Sequence, residues 1–177
     1  PHGSAFSREG SVIFKCEATE NAIAAQPIMW SSRKTRRVVK STLAAETLVA
    51  TDAVDDAIYI THIMKEVYGQ FLPILVFVDS KSLVDKLANT HLTPPSEKWL
   101  IIFLAMIKEA LDSGELSGVS WLPRQLQLAD GLTKDNREAG QTLQHVLNTG
   151  TLPMEMHSAY VNSAFSAAEN KMGVKEQ

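Results

Sequence analysis

The hydrophobic pattern changes period along the chain. Ser11–Cys16 (SVIFKC) is short, β-branched and aromatic, and reads as a strand. Pro27–Ser32 (PIMWSS) is a second strand candidate, and the spacing predicts an antiparallel pair with a loop near Ala18–Ala25. From Leu43 to Tyr68 the period becomes helical. Leu43, Ala50, Val54, Ala57, Ile58, Met64 and Tyr68 fall at spacings of three, four and seven. Ser41 or Thr42 is placed to cap this helix and Gly69 to end it, which gives a rod of ~40 Å at 1.5 Å per residue. After Pro73 comes a continuous apolar run, Ile74–Val78 (ILVFV), ending at Asp79. Such a run reads as a strand buried on both faces of a helix-covered sheet.

The remaining elements are shorter. Ser80–Ala88 reads as a helix capped by Ser80 or Asp79, and Thr93-Pro94-Pro95 as a break. Ser96–Ser113 reads as a helix closed by Gly114, and Val119–Leu122 as a strand ended by Pro123. Leu126–Thr133 and Gly140–Leu147 read as helical. The order predicts an α/β domain with a mixed sheet. Trp30, Trp99 and Trp121 are assigned to the core. Residues 151–177 read as a tail, partly helical or disordered, polar and alanine-rich over Ser163–Lys171.

Composition narrows the class. The chain has 177 residues, 45% apolar and 21% charged, which fits one globular domain and excludes a disordered chain. No apolar run is long enough to span a bilayer, so no membrane partner is expected. A single cysteine, Cys16, excludes an intramolecular disulfide framework and a cysteine-built zinc site. It reads as a small buried hydrophobe at a strand end. His62, His91 and His145 are scattered without metal-ligand spacing. The net charge of −3 means that any nucleic-acid binding must use a local patch. Arg33, Lys34, Arg36, Arg37 and Lys40 form one, set between the second strand and the long helix. Its plain alternative is a solvated turn.

Three carboxylates stand at informative places. Asp79 ends the buried strand, where ligands bind in open α/β sheets. Glu46 lies in the first turns of the long helix among small residues. Asp130 follows the last strand. Each has an ordinary structural explanation: dipole stabilisation for Glu46, helix capping for Asp79, a solvated acid for Asp130. Together, carboxylates from three elements suit a hard cation such as Mg²⁺.

The residues around these acids resemble a known family. Ser41-Thr42-Leu43-Ala44-Ala45-Glu46-Thr47 is similar to the STLAAET/STAEAE segment of retroelement ribonuclease H domains of the Ty1/copia type. Trp30-Ser31-Ser32-Arg33-Lys34 resembles that group's WSSKKQ. Val78-Asp79-Ser80-Lys81-Ser82-Leu83 resembles its segment D-S/N-x-S-L. Trp121-Leu122-Pro123 followed by Gln127-Leu128-Ala129-Asp130-Gly131-Leu132-Thr133-Lys134 resembles its closing V-P-x-x-x-Q-x-A-D-x-L-T-K. The four motifs keep the family's order across about residues 10–150.

This resemblance implies a ribonuclease H-like fold, a mixed five-stranded sheet flanked by helices on both faces. It implies hydrolysis of the RNA strand of an RNA/DNA hybrid during reverse transcription, beside the reverse transcriptase domain of the same polyprotein. The implied location is intracellular, in a cytoplasmic virus-like particle or the nucleus. Two Mg²⁺ ions, replaceable by Mn²⁺, would be held by Glu46, Asp79 and Asp130. Arg33, Lys34, Arg36, Arg37, Lys40, Ser80 and Lys81 would contact the nucleic acid. Two departures stand out. Pro1-His2-Gly3-Ser4 reads as a cloning remnant, with the domain taken as 5–150. Ala5-Phe6-Ser7 resembles the end of the family's D-A-x-F segment, so the first-strand Asp would fall at Gly3 or Ser4, and the first strand is truncated. The loop before Asp130 (Arg124-Gln125-Leu126) also lacks the His of cellular ribonucleases H, as the copia-type pattern does. The rival reading is an inactive, domesticated module that binds nucleic acid or protein. A weaker one is another nuclease of the same superfold.

Overall fold

The computed structural model describes residues 8–19, 22–34, 39–69, 71–89, 91–92, 97–133, 137–158 and 160, apart from the side chains of 137–139. Among them the fold is mixed α/β, and no helix is long and apolar enough to cross a membrane. The expected remnant at 1–4, Ala5-Phe6-Ser7, Arg36, Arg37, the break at Pro94-Pro95 and the tail from 161 lie outside the described residues.

Strands β1 (Arg8–Ala18) and β2 (Ile23–Lys34) form an antiparallel hairpin. Both run further than the apolar pattern suggests, because pairing extends into polar flanks. Thr19 closes the loop: its hydroxyl donates to the Ala22 carbonyl at 2.9 Å and accepts from the Ala22 N–H at 3.2 Å. The register shifts between Ile13 and Phe14, opposite Met29 and Pro27. Proline has no N–H for the ladder, so a bulge is where it is tolerated. The outer edge of β2 is covered. Ala25 N–H donates to the Gly150 carbonyl at 2.7 Å, Leu152 N–H donates to the Ile23 carbonyl at 3.0 Å, and Thr151 bridges Ala24.

Helix α1 (Thr42–Tyr68) follows. The Ser41 hydroxyl accepts from the Ala44 N–H at 3.1 Å and donates to Glu97 Oε1 at 2.5 Å. Gly69, at φ 73°, closes the other end with its N–H on the Lys65 carbonyl. The buried Thr47 and Thr51 satisfy their hydroxyls on the carbonyls one turn back, Leu43 and Thr47. Strands β3 (Leu75–Val78) and β4 (Gly118–Trp121) pair in parallel. The crossover between them carries α2 (Lys81–Ala88) and α3 (Leu100–Asp112), as a parallel pair requires. Two 3₁₀ turns, Arg124–Leu126 and Leu128–Leu132, stand where the pattern suggested one helix. Helix α4 (Arg137–Thr149) completes the order.

Two apolar clusters lie on opposite faces of the strands. On one, Val54 of α1, Leu83 of α2 and Leu104 of α3 pack with Ile74 and Val78, and with the half-buried Ile13 and Val76. On the other, Leu143 and Val146 of α4 pack with Leu122, Leu128 and Met156, and with Val12, Phe14 and Phe77. Alternate residues of β1 and of β3 therefore feed the same two clusters. The strands belong to one layer with helices on both faces.

Three expectations need correction. The expected five-stranded sheet is not what the described residues form: they make two separate two-stranded sheets, β1–β2 and β3–β4. Leu75–Phe77 are only half-buried, not enclosed, because one edge of β3 borders a cavity. The tryptophans are not core: Trp30 is 66%, Trp121 46% and Trp99 37% exposed. Trp121 ends β4 and Trp99 precedes α3, while Trp30 lies within β2, and such large amphipathic rings can remain half wet. At the start of the expected tail, 154–158 is helical, Met156 is buried and residues 150–152 pair with β2.

Gly10 lets β1 press onto the second 3₁₀ turn. A Cβ there would sit 2.5 Å from Thr133 Cγ2 and 2.9 Å from the Ala129 carbonyl oxygen. The threonine can turn away, but the carbonyl is backbone. Gly10→Ala should therefore cost about 1–3 kcal/mol in chemical denaturation, as overpacking does.

Cys16 is half-buried against the second cluster, and burial pushes its thiol up to about 11 from an ordinary 9.0. Tyr160 is raised too, by burial and then by the Cys16 thiolate. The folded state holds these protons after the unfolded chain has released them. Stability is thus full below about pH 9 and falls as pH rises toward 11. Denaturation at pH 7.5 and 10.5 should show a smaller loss for Cys16→Ala than for the parent chain.

Candidate functional site

Glu46, Asp79 and Asp130 line one cavity of about 380 Å³. One side is the edge of β1, the other the edge of β3. A face of α1 running from Glu46 to Met64 forms the floor. The Gln127–Asp130 turn and Leu152, Met156 and Tyr160 close the opposite face.

Each acid arrives by a local device. Glu46 is half-buried one turn beyond the Ser41 cap, and Ala45 beside it leaves room for close approach. Asp79 is half-buried just past the end of β3. Its carbonyl accepts the Trp121 indole N–H at 3.1 Å, which ties the ends of the parallel strands together. Asp130 sits in the second 3₁₀ turn with a side chain only 14% exposed, and Arg124 Nε lies 3.6 Å from its Oδ2. Gln127 anchors that turn to the strand by donating its side-chain N–H to the Phe77 carbonyl at 3.3 Å. The structure thus brings all three sequence-selected acids to one cavity. Among the described residues, however, no three His, Cys, Asp or Glu side chains are gathered closely enough to hold a metal ion.

Sequence reasoning passed over a fourth carboxylate. Glu9 of β1 lines the same cavity with a side chain 14% exposed, and Arg33 Nε lies 4.0 Å away. Its signal was its position, an acid directly before the first apolar run. Gly10 was also passed over as a support, since close approach has no local sequence signature, while Gln127 stood in the closing motif and the structure gives it an anchoring role.

The basic residues take different places. Arg33, at the end of β2, pairs with Asp52 of α1 and approaches Glu9, so it joins the hairpin to the helix. Lys34 is exposed beside it. Lys40 is exposed just ahead of the Ser41 cap, and Lys81 opens α2. Ser80 is the N-terminal boundary residue of α2, and its hydroxyl lies 3.2 Å from that of Ser82. A second acidic group, Asp52, Asp55 and Asp56, lies along α1. The Asp55 carboxyl is raised by partial burial and then by its two neighbours.

Comparison with models of known protein families, with curated proteins and with solved structures finds no match for this chain.

Proposed function

We propose that the chain is a ribonuclease H-like, metal-dependent endonuclease that hydrolyses the RNA strand of RNA/DNA hybrids, as part of a retroelement reverse transcriptase. The observation that carries this reading is the convergence of Glu46, Asp79 and Asp130, from a helix, a strand end and a turn, on one cavity. The motif resemblance selects the same three residues. Their donor set is all carboxylate oxygen, the chemistry that Mg²⁺ or Mn²⁺ takes. Two such ions, when bound, would supply an activated water and stabilise the leaving oxygen.

In this reading the chain's own residues do the positioning. Glu46, Asp79 and Asp130 would supply the carboxylate oxygens that hold the cations. Arg124 beside Asp130 orients that carboxylate. Lys81 stands at a helix start, where the dipole favours an anion over a cation, so Lys81 and Ser80 suit a phosphate, and Lys34 and Lys40 would add further backbone contacts. Arg36 and Arg37 would extend this contact, and 2′-hydroxyl contacts would select RNA.

A second reading, an inactive binding module, is favoured by one observation: the three acids share a cavity without forming a ready ligand cluster among the described residues. Hydrolysis of a labelled hybrid in Mg²⁺, Mn²⁺ and chelator separates the two. The nuclease reading expects cleavage that chelator abolishes. Hybrid binding without cleavage under any metal would favour the module.

Asp79→Asn should remove metal-dependent cleavage and leave the circular dichroism spectrum and unfolding midpoint close to the parent's. The amide keeps the size and loses the charge that binds the cation. Full Mg²⁺-dependent hydrolysis by this variant would break the site assignment.

Replacing Arg36 and Arg37 by Gln should weaken hybrid binding and flatten its salt dependence. The log–log slope should fall by about 0.7–0.9 for each phosphate that the variant no longer neutralises. An unchanged slope in a salt titration would return both residues to the solvated turn.

A further inference from the structure

One carboxylate of the acidic group already has a cation beside it. Arg124 Nε lies 3.6 Å from Asp130 Oδ2, and the two ends of this pair differ. The Asp130 side chain is 14% exposed and the Arg124 side chain 68%. The acid is enclosed, whereas the guanidinium stands in solvent. At this distance the contact is longer than a hydrogen bond.

The backbone beneath the pair is well fixed. Arg124 opens the first 3₁₀ turn, and Asp130 lies in the second. Leu126 N–H donates to the Pro123 carbonyl at 2.9 Å and Gln127 N–H to the Arg124 carbonyl at 3.1 Å. Asp130 N–H donates to the Gln127 carbonyl at 3.1 Å and Thr133 N–H to the Asp130 carbonyl at 3.2 Å. The Gln127 side chain ties both turns to β3. The root of the Arg124 side chain is thus held near Asp130, while its tip can swing. Arg33 is a contrast, because it stands against both Glu9 and Asp52, and two acids on different elements hold it.

An exposed ion pair of this kind is easily exchanged, since water screens it and the long side chain loses freedom by making it. A divalent cation carries twice the charge and takes carboxylate oxygen directly. It competes with the guanidinium for Asp130, and a guanidinium left in place repels it. Arg124 can leave without loss of packing. A cation such as Mg²⁺, held by one or two carboxylates, also takes phosphate oxygens, which brings a phosphate within the sweep of the released side chain. The planar fork of a guanidinium matches that oxyanion with two parallel bonds.

We propose that Arg124 is an exchangeable counter-ion. It neutralises Asp130 in the cation-free chain, yields the carboxylate to a divalent cation, and then turns its guanidinium to a backbone phosphate of the bound hybrid. The identity of cation and hybrid rests on the nuclease reading above.

The test compares the whole chain with Arg124→Gln, Asp130→Asn and the double variant, with circular dichroism as the check on folding. Mn²⁺ binding is followed by loss of the free ion's paramagnetic resonance signal. Glutamine can still donate to Asp130, so the substitution removes the charge and keeps the orientation. Arg124→Gln should tighten Mn²⁺ binding by about two- to fivefold, the range that an exposed ion pair is worth. In the Asp130→Asn background the same substitution should change nothing. Binding of a labelled RNA/DNA hybrid is then titrated with salt, in chelator and in Ca²⁺, with the RNA strand verified intact on a gel. Arg124→Gln should lower the log–log slope by about 0.7–0.9 in Ca²⁺ and leave it unchanged in chelator. Unchanged or weaker Mn²⁺ binding by Arg124→Gln overturns the proposal, because that is what a purely orienting side chain would give. Equal tightening in the Asp130→Asn background assigns the effect to overall charge and overturns it as well. So does a slope change that is the same with and without Ca²⁺, or absent from both. Chelator-sensitive hybrid cleavage alongside any of these results leaves the nuclease reading standing, whereas a parent chain that binds no Mn²⁺ removes both.

Discussion

A strand inside a covered layer must pair its backbone on both sides, and among the described residues β1 and β3 are each paired on one. Much of the molecule is arranged around that constraint. The outer edge of β2 is covered by residues 150–152. The inner edges of β1 and β3 instead face one another across a cavity, with the Gln127 amide standing in at a single carbonyl.

Helix α1 is what keeps the two strand pairs in one layer. Its N-terminal half buries Ala44, Leu48, Ala50, Val54 and Ala57. The same helix sends Glu46 toward the cavity and Asp52 to Arg33 of the hairpin. One ion pair and one apolar face therefore set the hairpin against a helix that also packs on β3. The exposed Arg33–Asp52 pair adds little stability by itself. Its contribution is to fix the hairpin's placement, while apolar burial on the two faces supplies most of the holding energy.

The acidic end of the cavity inherits its geometry from these supports. Asp79 depends on β3 and on the Trp121 indole, Asp130 on a turn pinned by Gln127 and Gly10, and Glu46 on the register of α1. Each side chain thus rests on a local device and on support from elsewhere in the chain.

The sequence by itself determined the local elements. Ser41 and Gly69 bound α1, because a hydroxyl cap and a left-handed glycine act within a few residues. The hairpin, the β3 run and the β4 strand were legible from their period, and the three acids from their motifs. Glu9, Gly10 and the anchoring role of Gln127 were not legible, because each acts through a residue more than twenty positions away. The single sheet expected from the motifs became two pairs, the tryptophans went to the rim, and the start of the presumed tail became part of the core. Only the tertiary structure decided these points. Periodicity and capping are interactions along the chain, whereas edge pairing and burial depend on which segments meet in space, and the pattern of one segment does not say what lies beside it.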